Sequence, residues 1–183
     1  MKTKPQKILS NLHFTTLAIV IINSLINYLT GFGFEEYFKT FIKSITIISG
    51  LILFAFNLRP FKKKNLYYSI YAFTTLLLVV GVIFRGIFGA LLISIILFPI
   101  FPAEKKYEKE NIKISTPFQG FMAPCCFYEI SERKFLIFEK NIGTFRSNGT
   151  IDLQTIQIKS TDSEIRLKFS TDDNENEEVI RKK

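Results

Sequence analysis

The sequence predicts a membrane α-helical protein with four transmembrane helices in two hairpins, followed by a small C-terminal antiparallel β domain that forms a barrel or a sandwich. The first observation behind this fold class is an apolar run over residues 66–101, in which Arg85 is the only charged residue. Such a run is too apolar for the surface of a soluble domain. The second observation is a change of period. From Asn111 onward, apolar and polar residues alternate, which is typical of half-buried strands.

The cations of the chain are concentrated around the apolar segments. Between residues 1 and 102 there are ten lysines and arginines against only two acids, Glu35 and Glu36, so this region carries the whole net charge of +8. Residues 103–183 contain fourteen charged residues of each sign. Because cations beside membrane helices set orientation and attract anionic headgroups, we expect the lipid bilayer to be a partner. The neutral C-terminal region argues against nucleic acid as a partner.

The first hairpin is predicted from two apolar segments, residues 12–29 and 41–58. A basic leader over residues 1–10 precedes it and marks the cytoplasmic side, and the glycine-containing connection between the two segments is predicted to lie on the outer side. The polar residues that are predicted to face the interior of the bundle are Thr16, Asn23, Asn27 and Lys43. They are interpreted as interhelical contacts or, alternatively, as the lining of a pore.

The second hairpin is predicted over residues 66–84 and 86–101. One straight helix over this run would be about 54 Å long, against a hydrocarbon core of about 30 Å. A small-residue seam for helix packing, internal or with a second copy, is predicted at Gly86, Ala90 and Ser94. The residues predicted to set the topology are Arg59, Lys62, Lys63, Lys64 and Arg85. The first four place the loop between the hairpins in the cytoplasm, and Arg85 would reach the far interface.

The remaining chain is predicted to form a cytoplasmic β domain over residues 103–170, with roughly five to seven short strands, and a disordered charged tail over residues 171–183. A segment broken by proline and glycine contains Phe118, Phe121 and Met122. These three residues are predicted to contact a ligand or the membrane, or else to cover the small core. Four spans place both termini on the cytoplasmic side of a bacterial inner membrane.

The sequence contains no convincing constellation for catalysis. His13 is the only histidine and lies beside the first span, where an interfacial role is expected. Cys125 and Cys126 are adjacent, which makes them a poor pair for one unstrained disulfide, so a free, semi-buried thiol in a reducing compartment is expected. No nucleophile with its base, metal-binding cluster or phosphate loop is recognisable. We therefore expect a chain that is not an enzyme and that binds no cofactor and no metal.

Two functions fit this layout. The first is a membrane-anchored protein whose small cytoplasmic β-rich domain binds or senses a protein or a small molecule. The second is an oligomeric pore-forming or membrane-disrupting effector, or its immunity or regulatory partner, gated by the β domain. Assembly of several copies through the small-residue seam would favour the second function, so the oligomeric state separates the two.

Overall fold

The computed structural model describes residues 4–58, 63–84, 86–109, 111–118, 126–147, 151–152, 155–161, 164–170 and 175–181. The chain divides into two compact units. The helical unit is drawn from residues up to 25 and from residues 37–101. The β unit is drawn from residues 26–36 and from most of the chain after residue 101.

The described residues of the N-terminal half form four helices, which are α1 (Lys4–Thr30), α2 (Glu36–Asn57), α3 (Lys63–Ile83) and α4 (Ile87–Leu97). By length and composition α1, α2 and α3 can each cross a membrane. α4 has only 11 residues, which corresponds to about 16 Å of helix and about half of the hydrocarbon core. The prediction of membrane-spanning helices is therefore supported for three helices, and a fourth span is not confirmed.

Glycines allow the helices of this unit to pack closely. A Cβ atom added at Gly50 of α2 would lie 2.7 Å from the ring of Tyr71 on α3. Gly89 of α4 packs against the backbone carbonyl groups of Gly81 and Phe84 at the end of α3. A side chain at Gly89 would have to displace main-chain atoms, so the α3–α4 contact requires glycine there.

The predicted seam of Gly86, Ala90 and Ser94 differs from this contact. Gly86 precedes the first residue of α4, has a φ of 111°, and is exposed with no neighbouring atom within 4 Å of its added Cβ. Ala90 and Ser94 are half-buried. Because the chain turns at Gly86 before the helix begins, the close approach between α3 and α4 falls on Gly89 instead.

The described residues of the β unit form eight strands in two antiparallel sheets. The five-stranded sheet has the order β1-β5-β4-β3-β2 and the three-stranded sheet has the order β6-β7-β8. Their bounds are β1 Phe32–Phe34, β2 Glu104–Lys109, β3 Ile112–Thr116, β4 Phe127–Phe135, β5 Phe138–Arg146, β6 Gln157–Ser160, β7 Glu164–Ser170 and β8 Glu175–Arg181. The prediction of a C-terminal antiparallel β structure is confirmed, whereas closure into a barrel or sandwich is not.

Both sheets contribute to one buried core. Ile114 and Ile130 from the larger sheet and Ile165 and Leu167 from the smaller sheet are almost completely buried in it. The ring of Phe145 stacks on Tyr128 and also contacts Phe169, with centroid distances of 5.2 and 5.5 Å. These side chains alternate with polar ones along their strands, as the period of two predicts.

Two highly charged segments form strands. Residues 104–109 form β2, an edge strand whose charged side chains suit an exposed sheet edge. Within the predicted disordered tail, residues 175–181 form β8, which pairs with β7. Lys168 on β7 lies 3.4 Å from Glu177 on β8. The basic face of β7 therefore offers the acidic tail a complementary strand, which composition alone does not reveal.

The cysteine prediction is also corrected. Cys126 is buried and disulfide-bonded, so it is not the free thiol that was expected. The chain contains one other cysteine, Cys125, which lies outside the described residues. Cys126 also has a positive φ of 82°, and its carbonyl oxygen accepts a hydrogen bond from the N–H of Ser147.

Strand β1 comes from the connection between α1 and α2, yet it belongs to the sheet of the C-terminal half. It pairs antiparallel with β5, and the register aligns residues 32–34 with residues 138–140. One residue further on, the N–H of Glu35 donates a hydrogen bond of 2.9 Å to the carbonyl oxygen of Ile137. The first interhelical connection is therefore an integral part of the five-stranded sheet.

Gly31 makes the turn from α1 into β1. Its φ of 69° lies in the left-handed region, and its N–H donates to the carbonyl oxygen of Asn27, which closes the C-terminal end of α1. On its other side, the carbonyl oxygen of Gly31 accepts a hydrogen bond of 2.7 Å from the N–H of Asn141 on β5. This glycine thus ends the helix and starts the strand pairing at the same point.

Ion pairs hold the connection to the sheet as well. Arg133 on β4 lies 3.1 Å from Glu35 and 3.1 Å from Glu108 on β2. Lys105 also bonds Glu108, at 2.7 Å, and this hydrogen bond holds the pKa of the Glu108 carboxyl below its usual value. Because the pKa is lowered in the folded chain, the contribution of Glu108 to stability is present at neutral pH and is lost as the pH falls through that lowered pKa.

Candidate functional site

The most extensive buried polar cluster in the described part of the helical unit surrounds His13. Its imidazole is 0% exposed. Ser10 and Thr16, three residues to either side on α1, are buried as well, because residues three apart share one face of a helix. This polar face of α1 is therefore packed inside the unit, and the position of His13 near the membrane interface stays a prediction.

The Nδ1 side of the imidazole contacts α2. Nδ1 lies 3.1 Å from the carbonyl oxygen of Thr46 and 3.0 Å from Ser49 Oγ. Ser49 Oγ donates its own proton to the same Thr46 carbonyl oxygen, at 3.0 Å. Both partners can therefore accept a proton from His13, and the network assigns the imidazole proton to Nδ1.

The Nε2 side contacts α3. Tyr67 Oη lies 3.0 Å from His13 Nε2, and Tyr71 Oη lies 3.1 Å from Tyr67 Oη. With the imidazole proton on Nδ1, Tyr67 donates to Nε2 and Tyr71 donates to Tyr67. The rings of Tyr67, Tyr68 and Tyr71 all meet the imidazole edge-on, with centroid distances of 5.8, 5.6 and 5.3 Å.

This geometry suits the connection of helices better than catalysis. A neutral imidazole bonds α2 through one nitrogen and α3 through the other, so a single side chain of α1 links three helices. Nε2 is the nitrogen that would act as a general base, and it already accepts the proton of Tyr67. Ser49 directs its proton to a backbone carbonyl and not to the imidazole, which is the opposite of an activated nucleophile.

Asn65, on the first turn of α3, is a second buried polar residue of this unit. It is completely buried, and among the residues that the structure describes neither its amide oxygen nor its amide nitrogen has a hydrogen-bond partner. Leaving such a group unsatisfied costs about 1–3 kcal/mol.

The four predicted bundle-interior residues lie in different settings. Thr16 is buried, and its hydroxyl donates to the carbonyl oxygen of His13. Asn23 and Asn27 are half-buried, and Asn27 lies in the β unit, where its side chain packs 3.3 Å from the position of an added Cβ on Gly33. Lys43 Nζ donates a hydrogen bond of 2.6 Å to the carbonyl oxygen of Pro99, which follows α4. The structure thus brings only Thr16 into the His13 cluster.

The residues predicted to set the topology or to contact a ligand or the membrane are only partly described by the structure. Lys63 and Lys64 are exposed at the start of α3, and Phe118 is half-buried just after β3. The remaining predicted residues, which are Arg59, Lys62, Arg85, Phe121 and Met122, lie outside the described residues.

The β unit has a polar group of its own. Lys113 Nζ on β3 lies 3.4 Å from Glu139 Oε2 on β5, and both side chains are almost fully buried. Ser115 and Ser131 are buried near them in the strand register. One face of the larger sheet is therefore polar and buried, while the other face forms the apolar core.

Sequence reasoning missed Ser49, Tyr67 and Tyr71 as partners of His13. The available signal was spacing: Tyr67 and Tyr71 are four residues apart within an apolar segment, so their hydroxyl groups share one face. No rule of spacing, however, pairs that face with the lone histidine on another helix.

No family model, curated protein or solved structure matches this chain.

Replacement of Tyr67 by phenylalanine tests the cluster, because it removes the hydroxyl that donates to His13 Nε2. Interhelical hydrogen bonds in membrane proteins contribute about 0.6 kcal/mol on average and up to about 1.7 kcal/mol. We expect Tyr67→Phe to lower the free energy of unfolding by that amount, as measured from the loss of helical circular dichroism in detergent mixtures. His13→Leu should cost more, because it breaks the contacts to both helices.

The matched control is Tyr28→Phe, since Tyr28 is an exposed residue of α1 and the same hydroxyl is removed. Equal losses in Tyr67→Phe and Tyr28→Phe would contradict the assigned network.

Proposed function

We propose that the chain is a three-span membrane protein that holds its β unit against the extracytoplasmic membrane surface as a binding module. The observation that carries this proposal is the pairing of β1 with β5. A strand between two candidate spans and a strand of the C-terminal half share one sheet. They must therefore lie on the same side of the membrane.

The number of crossings follows from this constraint. Between β1 and the C-terminal half the chain runs through α2 and α3, each long enough to cross once. Two crossings return it to the side of β1, so α4 makes no net crossing, in agreement with its 11 residues. The four-span alternative puts β1 on the outer side and the β domain in the cytoplasm, which is incompatible with a shared sheet.

The charges favour one orientation of this three-span arrangement. The leader region contains Lys2, Lys4 and Lys7, and residues 59–64, which cover the connection after α2 and the start of α3, contain four cations. Both lie on the side opposite to β1, and cation-rich ends remain in the cytoplasm. The β unit is then extracytoplasmic, where the disulfide at Cys126 would be stable. This proposal replaces the expectation that both termini are cytoplasmic.

A binding role is supported by what the ionisable side chains already do. His13 links helices, Arg133 bridges Glu35 and Glu108, and Lys113 pairs with Glu139. These groups stabilise each unit from within. A β unit joined to membrane spans in the same chain is suited to recognise a protein or small molecule that arrives at the membrane.

Reporter fusions to the full chain in a bacterial inner membrane test the topology. We expect alkaline phosphatase fused after Lys183 to be active and a fluorescent protein at the same place to be dark, because the first requires an extracytoplasmic location and the second a cytoplasmic one. A fluorescent protein fused before Met1 serves as the control and should be bright. A bright C-terminal fluorescent protein with an inactive phosphatase would reject the proposed topology.

The mass of the full chain in lipid nanodiscs tests the binding module against the pore. Three of the polar residues that motivated a pore have partners inside one chain. Thr16 bonds the His13 carbonyl oxygen, Lys43 bonds the Pro99 carbonyl oxygen, and Asn23 also has an internal contact. We therefore expect a monomer or dimer, which encloses no aqueous path. A closed ring of four or more copies, together with dye leakage from liposomes, would favour the pore and reject the module.

A further inference from the structure

The turn between β4 and β5 has an unusual composition. It presents Phe135, Leu136 and Ile137, three consecutive apolar residues, whose exposed fractions are 70%, 91% and 39%. Turns between strands are normally built from glycine, asparagine, aspartate and serine. An exposed run of this kind marks an interaction surface. We call Phe135–Ile137 the apolar turn.

The apolar turn is held next to the start of a candidate membrane span. The carbonyl oxygen of Ile137 accepts a hydrogen bond of 2.9 Å from the N–H of Glu35. Glu36, the next residue, is the first residue of α2. At the other end of the turn, Arg133 lies 3.1 Å from Glu35. The apolar turn is therefore fixed, by a main-chain bond and an ion pair, within one residue of the first residue of α2.

We propose that the apolar turn inserts into the lipid bilayer beside α2. Lipid is the favoured occupant because the turn is joined to a span and has the composition of an interfacial contact. Its ring and branched side chains can lie among acyl chains. Insertion would give the β unit a second attachment to the membrane besides the covalent one. The inference uses the proposed function only in treating α2 as a span.

The chain contains no tryptophan, so a single introduced tryptophan reports its own surroundings. The test uses the full chain with Leu136→Trp, reconstituted in vesicles of zwitterionic and anionic phospholipid. If the turn inserts, its emission is shifted to shorter wavelength, is quenched by lipids with brominated acyl chains, and is protected from aqueous iodide. Because iodide does not cross the bilayer, it is present on both sides of the vesicles, and the three results are then the same whichever side of the membrane the turn occupies.

Two matched variants calibrate the measurement. Phe41→Trp replaces an exposed aromatic residue of α2 and should be quenched by brominated lipid. Val179→Trp replaces an exposed apolar residue of β8 in the three-stranded sheet and should be quenched by iodide instead. We expect Leu136→Trp to behave like Phe41→Trp.

A Leu136→Trp signal that matches Val179→Trp would overturn the proposal. Emission that is protected from iodide and also insensitive to brominated lipid would overturn it too, because it would identify a protein surface, such as a second copy, as the occupant. A failure of Phe41→Trp to be quenched would reject α2 as a span. Failure of the inference is thereby distinguished from failure of the proposed function.

Discussion

The antiparallel pairing of β1 with β5 is the constraint on which the rest of the account depends. Three residues of an interhelical connection are bonded to the C-terminal sheet, and the ring of Phe138 lies between those of Phe32 and Phe34, with centroid distances of 5.6 and 5.1 Å. A sheet cannot be shared across a bilayer, because its strands must meet edge to edge. The three-span arrangement proposed above is argued from this contact.

The helices and most core strands could be predicted from the sequence, because each is encoded locally. A long apolar run predicts a span wherever it packs, and the alternation of Ile112 and Ile114 or of Ile165 and Leu167 predicts strands before any partner is known. β1 carries no such signal. Residues 32–34 belong to a segment that the sequence predicts as a connection between two spans. They form a strand only because they pair with β5, about a hundred residues further along the chain. The proposed topology differs from the one predicted from the sequence because of this one non-local pair.

The polar cluster around His13 could not be predicted from the sequence either, because it depends on contacts between different helices. His13 and Thr16 share a face of α1, and Tyr67 and Tyr71 share a face of α3, as spacing indicates. Their meeting depends on the approach of α2 to α3 at Gly50, where a larger residue would strike Tyr71. The close contact between α3 and α4 at Gly89 likewise depends on where α4 begins after the turn at Gly86. The pairing of β8 with β7 likewise depends on charges of opposite sign on two different strands. The composition of residues 171–183 alone does not show this partner, and it therefore predicts a disordered tail.

The most direct measurement of the central claim is cysteine cross-linking between β1 and β5 in the full chain in membranes. Phe32 and Lys140 are paired residues in the register, so Phe32→Cys with Lys140→Cys is predicted to form a disulfide under mild oxidation, identified by mass spectrometry of the linked peptides. The control pair joins Phe32→Cys to Thr144→Cys, four residues further along β5 and about 13 Å from the paired position, and it should not cross-link. Failure of the first pair to cross-link, or equal cross-linking of both pairs, would contradict the shared sheet and the topology derived from it.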